Sequence, residues 1–270
     1  GFGFFAGIVG AHNGIMAYGK RNKLYDLGRV CESKDYKHLI RTYFGLKLPN
    51  IKIAVTGNGR VAHGIIEVMN LMNVTEVETD EYLKREFSYP VYVHLKGNDL
   101  YTHKQLKTYQ REHFHQHPEE YESIFLPYMR CTDILMNGVY WDENMPRLFE
   151  NEHVNDQFRI QTIADITDDY HGSIPINLGD QTIEDPIYGV DRKTLQKTEP
   201  YLPNSIDMMA VGNLPNELPR DASAYFGEQL MKYILNDLLG NGSDIISRAT
   251  IVKEGKLTSS FEYMHKYAYE

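Results

Sequence analysis

The sequence predicts an α/β domain, a parallel sheet with flanking helices. Three observations carry that prediction. Short apolar runs bounded by Gly, Asn or Asp recur along the chain, helical periodicity follows the first of them, and that first run passes through a glycine turn directly into the helix.

The chain opens with GFGFFAGIVGAHNGIMAYG (1–19), which has small residues at positions 3, 6, 7, 10, 11 and 14. On a helix these make a face that lets another backbone come close. No basic leader precedes the stretch and position 1 is not Met, so it reads as an interior helix of a longer protein rather than a signal peptide. Left exposed, such a helix would be expected to bury against a second copy, giving a homo-oligomer, most simply a dimer. The runs 51–57, 89–95, 132–138, 159–167 and 206–214 suit buried parallel strands. Between the first two, Val61, Ile65, Val68 and Met72 mark one face of a helix. The polar stretch 104–123 is expected as an exposed helix or loop. Phe226, Leu230, Ile234 and Leu238 recur at a spacing of four near the end, with Gly240 as a stop.

At 270 residues, with 42% hydrophobic and 24% charged residues, the composition is that of a globular protein. The net charge of −9 argues against nucleic acid or an anionic membrane as partner. No apolar run approaches the roughly 20 residues of a membrane span. Cys31 and Cys131 are too few for a disulfide framework, which points to a reducing cytoplasm.

The stretch IKIAVTGNGRVAHG (51–64) carries the chemistry. A dinucleotide fingerprint needs a strand, a glycine turn and a helix whose N-terminus faces the pyrophosphate. Gly57 permits the tight turn, Gly59 lets the phosphates approach the backbone, and Ala62 takes the third small position of G-x-G-x-x-A. An acid is expected about 20 residues further on, at the end of the second strand, to hold the ribose; Glu78 stands there. Its charge would favour NAD, while Arg60 in the loop would partly offset repulsion of a 2′-phosphate. The alternative is a tight turn in an α/β fold that binds S-adenosylmethionine or nothing.

His113, His115 and His117 have the look of metal ligands, but flanking Arg, Glu and Pro favour a solvated loop, and no metal is assigned. ADITDDYHGS (164–173) places Asp165, Asp168 and Asp169 beyond a strand, where ligands bind in open α/β sheets or where Asp serves as a turn former. In VGNLPNELPRDAS (211–223), Asn213 and Pro215 make a turn, and Asp221 or Ser223 is expected to cap the next helix. No G-x-S-x-G, H-E-x-x-H or P-loop lysine motif occurs.

Taken together, FGFFAGIVGAHNGI (2–15), VTGNGRVAHG (55–64), HPEEYESIF (117–125), NGVYWDENMPRLF (137–149), ADITDDYHGSI (164–174) and GNLPNELPRDASAYFG (212–227) resemble the lysine–ketoglutarate reductase, or saccharopine dehydrogenase (lysine-forming), family. That family is similar in turn to alanine dehydrogenase and the nicotinamide nucleotide transhydrogenase domain. The resemblance implies a Rossmann-type doubly wound sheet and an NAD or NADP cofactor. It implies an inter-domain helix over 1–25, an NAD(P)-binding domain over 26–222 and a helical segment over 223–270 that returns toward an earlier substrate domain. Gly57, Gly59, Arg60 and Val61 would match the pyrophosphate loop and Glu78 the ribose position. Asn137, Gly138 and Val139 would match the turn beside ribose and nicotinamide, Asp165, Ile166 and Asp169 the strand end facing nicotinamide and substrate, and Asn213, Leu214 and Pro215 the turn opposite. Asp169 would be the catalytic-site carboxylate in this chain; the acid–base Lys and His of the superfamily belong to the earlier domain. Tyr170 and His171 depart from the relatives and bear on which substrate is admitted. The implied reaction joins an amine to a 2-oxo acid and reduces the imine. Alanine-dehydrogenase-like deamination, a non-catalytic nucleotide-binding module and a Rossmann methyltransferase are the rival readings.

Overall fold

The computed structural model describes residues 2–240 and 242–269. By contacts it divides into a body, Phe2–Ala222, and a smaller unit, Ser223–Glu270.

In chain order the body contains α1 (Gly3–Asn22), α2 (Tyr36–Thr42), β1 (Lys52–Thr56), α3 (Arg60–Leu71), β2 (Thr75–Glu76), α4 (Thr79–Lys84) and β3 (Val91–Leu95). Then come α5 (Gly97–Leu100), β4 (Tyr101–His103), α6 (Arg111–Gln116), β5 (Tyr121–Ser123), α7 (Leu126–Met129), β6 (Ile134–Asn137), β7 (Thr162–Asp165), β8 (Ile187–Asp191), β9 (Lys197–Thr198) and β10 (Ser205–Met209). Each of the five apolar runs supplies one sheet strand, and the helix expected after the first is α3. The sheet has eight strands in the order β2-β3-β1-β6-β7-β10-β8-β9. Pairing is parallel from β2 through β10 and antiparallel at β10–β8 and β8–β9. The α/β reading therefore holds.

The parallel register aligns Thr56 with Asn137 and Asn137 with Asp165, so three polar residues end adjacent strands at one level. Side chains alternate across the sheet. Ala54, Val93, Leu135 and Ile163 share one core with Tyr82, Phe125 and Phe149.

The N-terminal helix is not an exposed face waiting for a second copy. Fourteen of its twenty residues are buried, Ile8, Val9, Ala11 and Ile15 among them, and it packs on α3 and the sheet. The small residues explain this. Gly7 and Gly64 face each other so closely that a Cβ on either would fall on the opposing backbone. The close approach anticipated for another copy is made inside this unit. At its far end the Arg21 guanidinium donates to Asp207 at 3.0 Å and to the Ser205 carbonyl at 2.7 Å, tying α1 to β10.

Two further expectations change and a third is refined. Residues 104–123 are mostly exposed, as expected, with α6 among them, but β4 and β5 pair antiparallel and Phe114 is buried against Tyr101 and Tyr121. Alternating aromatics hidden in a polar sequence carry that packing. Asp221 does not cap its own helix; its carboxylate accepts the Tyr36 N–H at 2.9 Å, and the helix α8 (Pro219–Tyr233) starts earlier, at a proline. The terminal periodicity does not give one rod. The helix breaks at Ile234, where φ is −123°, and α9 (Leu235–Leu239) follows up to Gly240. In the smaller unit Leu230, Tyr233, Leu238 and Leu239 remain exposed.

His12 sits in α1 and is 1% exposed. Its Nε2–H donates to the Gly28 carbonyl at 2.8 Å, and its Nδ1 accepts from the Tyr43 hydroxyl at 3.0 Å. Burial, with a lesser push from the Arg29 charge, lowers its pKa from 6.5 to about 4. Above pH 6.5 folded and unfolded chains both hold it neutral. Below that the unfolded chain takes up a proton that the folded chain refuses, so stability falls with pH by about 1.4 kcal/mol per unit until about pH 4. Urea unfolding at pH 7 and pH 5 is expected to differ by about 2 kcal/mol less in His12→Gln than in the parent chain. Gly64→Ala is expected to cost more than about 2 kcal/mol on the same assay, because the added methyl meets backbone and not a movable side chain.

Candidate active site

A cleft of about 870 Å³ lies at the carboxyl ends of β1, β3 and β6. Its floor is the loop Gly57–Val61. Gly57 has φ +100°, a conformation that favours glycine, and its N–H donates to the Leu95 carbonyl at 3.0 Å. Its carbonyl accepts from His94 Nε2 at 2.7 Å. Gly59 is the extended N-cap of α3 with no side-chain cap among the described residues, which leaves the start of that helix open to an anion. A Cβ at Gly59 would meet nothing within 4 Å, because that side opens on the cleft.

Gly57, Gly59, Arg60, Val61, Gly138 and Val139 all line the cleft, so the structure brings together the core of the expected site. Asn137 and Asp165 lie beneath it. Thr56 Oγ1 donates to Asn137 Oδ1 at 2.7 Å, and Asn137 Nδ2 donates to Asp165 Oδ1 and Ser173 Oγ, each at 2.8 Å. Asn177 Nδ2 reaches Asp165 Oδ2 at 2.8 Å. Burial raises the Asp165 pKa, and these donors pull it back down. Both residues are buried and hold strand ends together.

Other positions fall elsewhere. Ile166 and Leu214 are buried against α1 at Gly10. Asp169, Asn213 and Pro215 sit at the ends of β7 and β10, outside the cleft lining. Burial raises the Asp169 pKa. Asp168, in the left-handed region at φ +58°, is raised first by burial and then by the neighbouring Asp180 carboxyl. Glu78 is exposed at the start of α4 and does not line the cleft. The reason is topological. β2, which precedes it, is the outer strand, and β3 intervenes between it and β1. The strand end beside β1 is that of β3, and Lys96 follows it into the cleft.

Sequence reasoning missed Lys96, Arg111 and His115, which line the cleft with Tyr101, Tyr109 and Phe114 from the β4–β5 insertion. With Arg60 they make a lining that holds cations and, among the described residues, no Asp or Glu. A basic residue directly after the second full-length strand was the available signal.

His113 and His115 lie on α6, and His117 caps its end. His103, His113 and Glu120 converge, with His103 Nε2 at 2.9 Å from Glu120. The backbone N–H groups of Gln105 and Leu106 both donate to His103 Nδ1, at 3.1 and 3.2 Å. Nδ1 is therefore unprotonated and Nε2 carries the hydrogen given to Glu120. A metal at Nε2 would need an imidazolate, so this cluster reads as a hydrogen-bonded support for the hairpin.

No family model matches the chain. It is 27% identical over 321 aligned residues to the mitochondrial alpha-aminoadipic semialdehyde synthase of Rattus norvegicus, covering 98% of this chain and 34% of that protein. The enzyme of the same name from Arabidopsis thaliana is 27% identical over 241 residues, with 77% of this chain and 22% of that protein covered. The chain is a homologue of the alpha-aminoadipic semialdehyde synthases. It spans about a third of the length of the rat relative. Among solved structures an L-alanine dehydrogenase superposes with a TM-score of 0.51 at 14% identity, covering 99% of this chain and 63% of that one, and supports the fold. The resemblance read from the sequence motifs is borne out. No helix among the described residues is long and apolar enough to cross a membrane. The rat and mouse relatives are named as mitochondrial, so they lend no support to a cytoplasmic location.

Removing the Asn137 amide strands Thr56, Asp165 and Ser173. Asn137→Ala is expected to lower stability by about 2 to 3 kcal/mol, read from the fluorescence of the single Trp141 during urea unfolding.

Proposed function

We propose that this chain is the dinucleotide-binding part of an NAD(P)-dependent oxidoreductase acting on CH–NH bonds, of the saccharopine dehydrogenase (lysine-forming) type, and that its cleft takes NADP(H) in preference to NAD(H). The homology to the semialdehyde synthases supports the enzyme class. The observation that carries the cofactor reading is the cleft itself, a glycine phosphate loop opening onto Arg60, Lys96 and Arg111 with no lining acid among the described residues.

The bound nicotinamide would supply the hydride. Everything else falls to the chain. The first N–H groups of α3 and the Gly57–Val61 loop hold the pyrophosphate. Lys96, at the end of the strand beside β1, stands where an acid would otherwise meet the ribose, and a cation there attracts a 2′-phosphate. Gly138 and Val139 border the run toward the nicotinamide end, and Thr167 lines the cleft just before the Asp168–Asp169 carboxylates. There Asp169 would orient the nicotinamide ribose or offset positive charge developing on the substrate nitrogen. The amine and 2-oxo acid would be small molecules presented by another domain. The exposed apolar side chains of Ser223–Glu270 favour the reading of that unit as a segment that packs elsewhere in the complete protein.

Partly exposed cation–phosphate pairs contribute about 0.5 kcal/mol each, so Lys96 and Arg111 at the 2′-phosphate amount to about a fivefold preference. Calorimetric titration of this chain is expected to give a dissociation constant for NADPH about fivefold below that for NADH. Lys96→Glu should reverse that order, and Gly59→Asp should abolish both. Absence of binding by either cofactor, or equal binding that Lys96→Glu leaves unchanged, refutes the assignment.

A further inference from the structure

We infer that His94 is a positioning residue that aims the phosphate loop. The inference rests on the dinucleotide reading of the cleft. His94 lies in β3, paired with Val55 of β1, and is half-buried. Its Nε2 is 2.7 Å from the Gly57 carbonyl oxygen. A carbonyl can only accept, so Nε2 carries the hydrogen. Burial lowers the pKa of the ring, and Lys96 and His63 lower it further, while Glu76 and the Gly57 carbonyl act the other way. The neutral Nε2–H tautomer is thus the resting form.

Gly57 is held to β3 at both ends, its N–H by the Leu95 carbonyl and its own carbonyl by His94. The peptide joining Gly57 to Asn58 is trans and planar, so its N–H points away from its C=O. Pulling the Gly57 carbonyl onto His94 therefore turns the Asn58 N–H to the opposite side. Asn58 lines the cleft, and its N–H has no acceptor among the described residues. Gly57, at φ +100°, sits in a glycine-permissive conformation from which the peptide can rotate at little cost unless something holds it. Glycine supplies the freedom, and His94 removes it. The residue touches no part of the ligand; it presents one donor of the cradle to the pyrophosphate.

The test pairs His94→Gln, whose amide nitrogen reaches about as far as Nε2, with His94→Asn, whose amide is too short. NADPH and adenosine 2′-monophosphate, which lacks the pyrophosphate, serve as probes, and thermal melting checks that both variants fold. Asn is expected to weaken NADPH binding about tenfold while leaving the monophosphate unchanged, and Gln to stay within about twofold of the parent chain. Failure of the parent chain to bind NADPH sinks the cofactor reading, and this inference with it. If the parent binds, an Asn variant that binds NADPH normally overturns the role of His94 alone. Equal loss of both probes, or no recovery with Gln, overturns it too.

Discussion

The Asn137 side chain is the point on which the site depends. It sits at the end of β6, level with Thr56 on one side and Asp165 on the other, because the parallel register places all three in one row. Its amide accepts from Thr56 and donates to Asp165 and Ser173, and Asn177 completes the Asp165 carboxylate. A buried carboxylate in such a place is costly unless every lone pair is met. Meeting them forces the loops after three strands into one arrangement. The phosphate loop follows Thr56, the Gly138–Val139 turn follows Asn137, and the Asp168–Asp169 turn follows Asp165. The positions of the cleft-lining groups are set one layer below them, by buried residues.

A second constraint is steric. α1 and α3 meet at Gly7 and Gly64 with no room for a side chain, and α3 is the helix whose N-terminus faces the cleft. The contact fixes the tilt of α3 and so the direction of its first N–H groups. Electrostatics then act on that frame. The chain carries a net charge of −9, yet the cleft is lined by Arg60, Lys96 and Arg111. An anionic ligand in the cleft would meet local attraction despite the bulk charge, since local charge dominates over distances short against the roughly 8–10 Å screening length.

The strands and the glycine turn after β1 were legible in the sequence because each is written locally. An apolar run of strand length, a glycine turn and a helical stripe need no knowledge of neighbours. The same is true of the family motifs around Asn137, Asp165 and Asn213. Glu78 shows where local reading fails. Counting residues from Gly57 to the next strand end assumes that the next strand lies beside the first, and here β3 takes that place and β2 the edge. Periodicity could not reveal the order. Nor could it reveal that the polar-looking insertion hides Phe114 and Tyr121, since only pairing of β4 with β5 brings Tyr121 onto Phe114, which stacks on Tyr101.

By itself the sequence determined the class of fold, the location of the glycine turn between β1 and α3 and the resemblance that frames the chemistry, all carried by residues adjacent in the chain. The tertiary structure decided which strand end borders the cleft, that α1 is a core helix and not an open face, and that His94 holds the Gly57 carbonyl. Those facts concern residues such as Gly7 and Gly64, or Gly57 and Lys96, that are far apart in the chain. Strand order and helix tilt bring them together, because the buried groups of the whole domain must be satisfied at once.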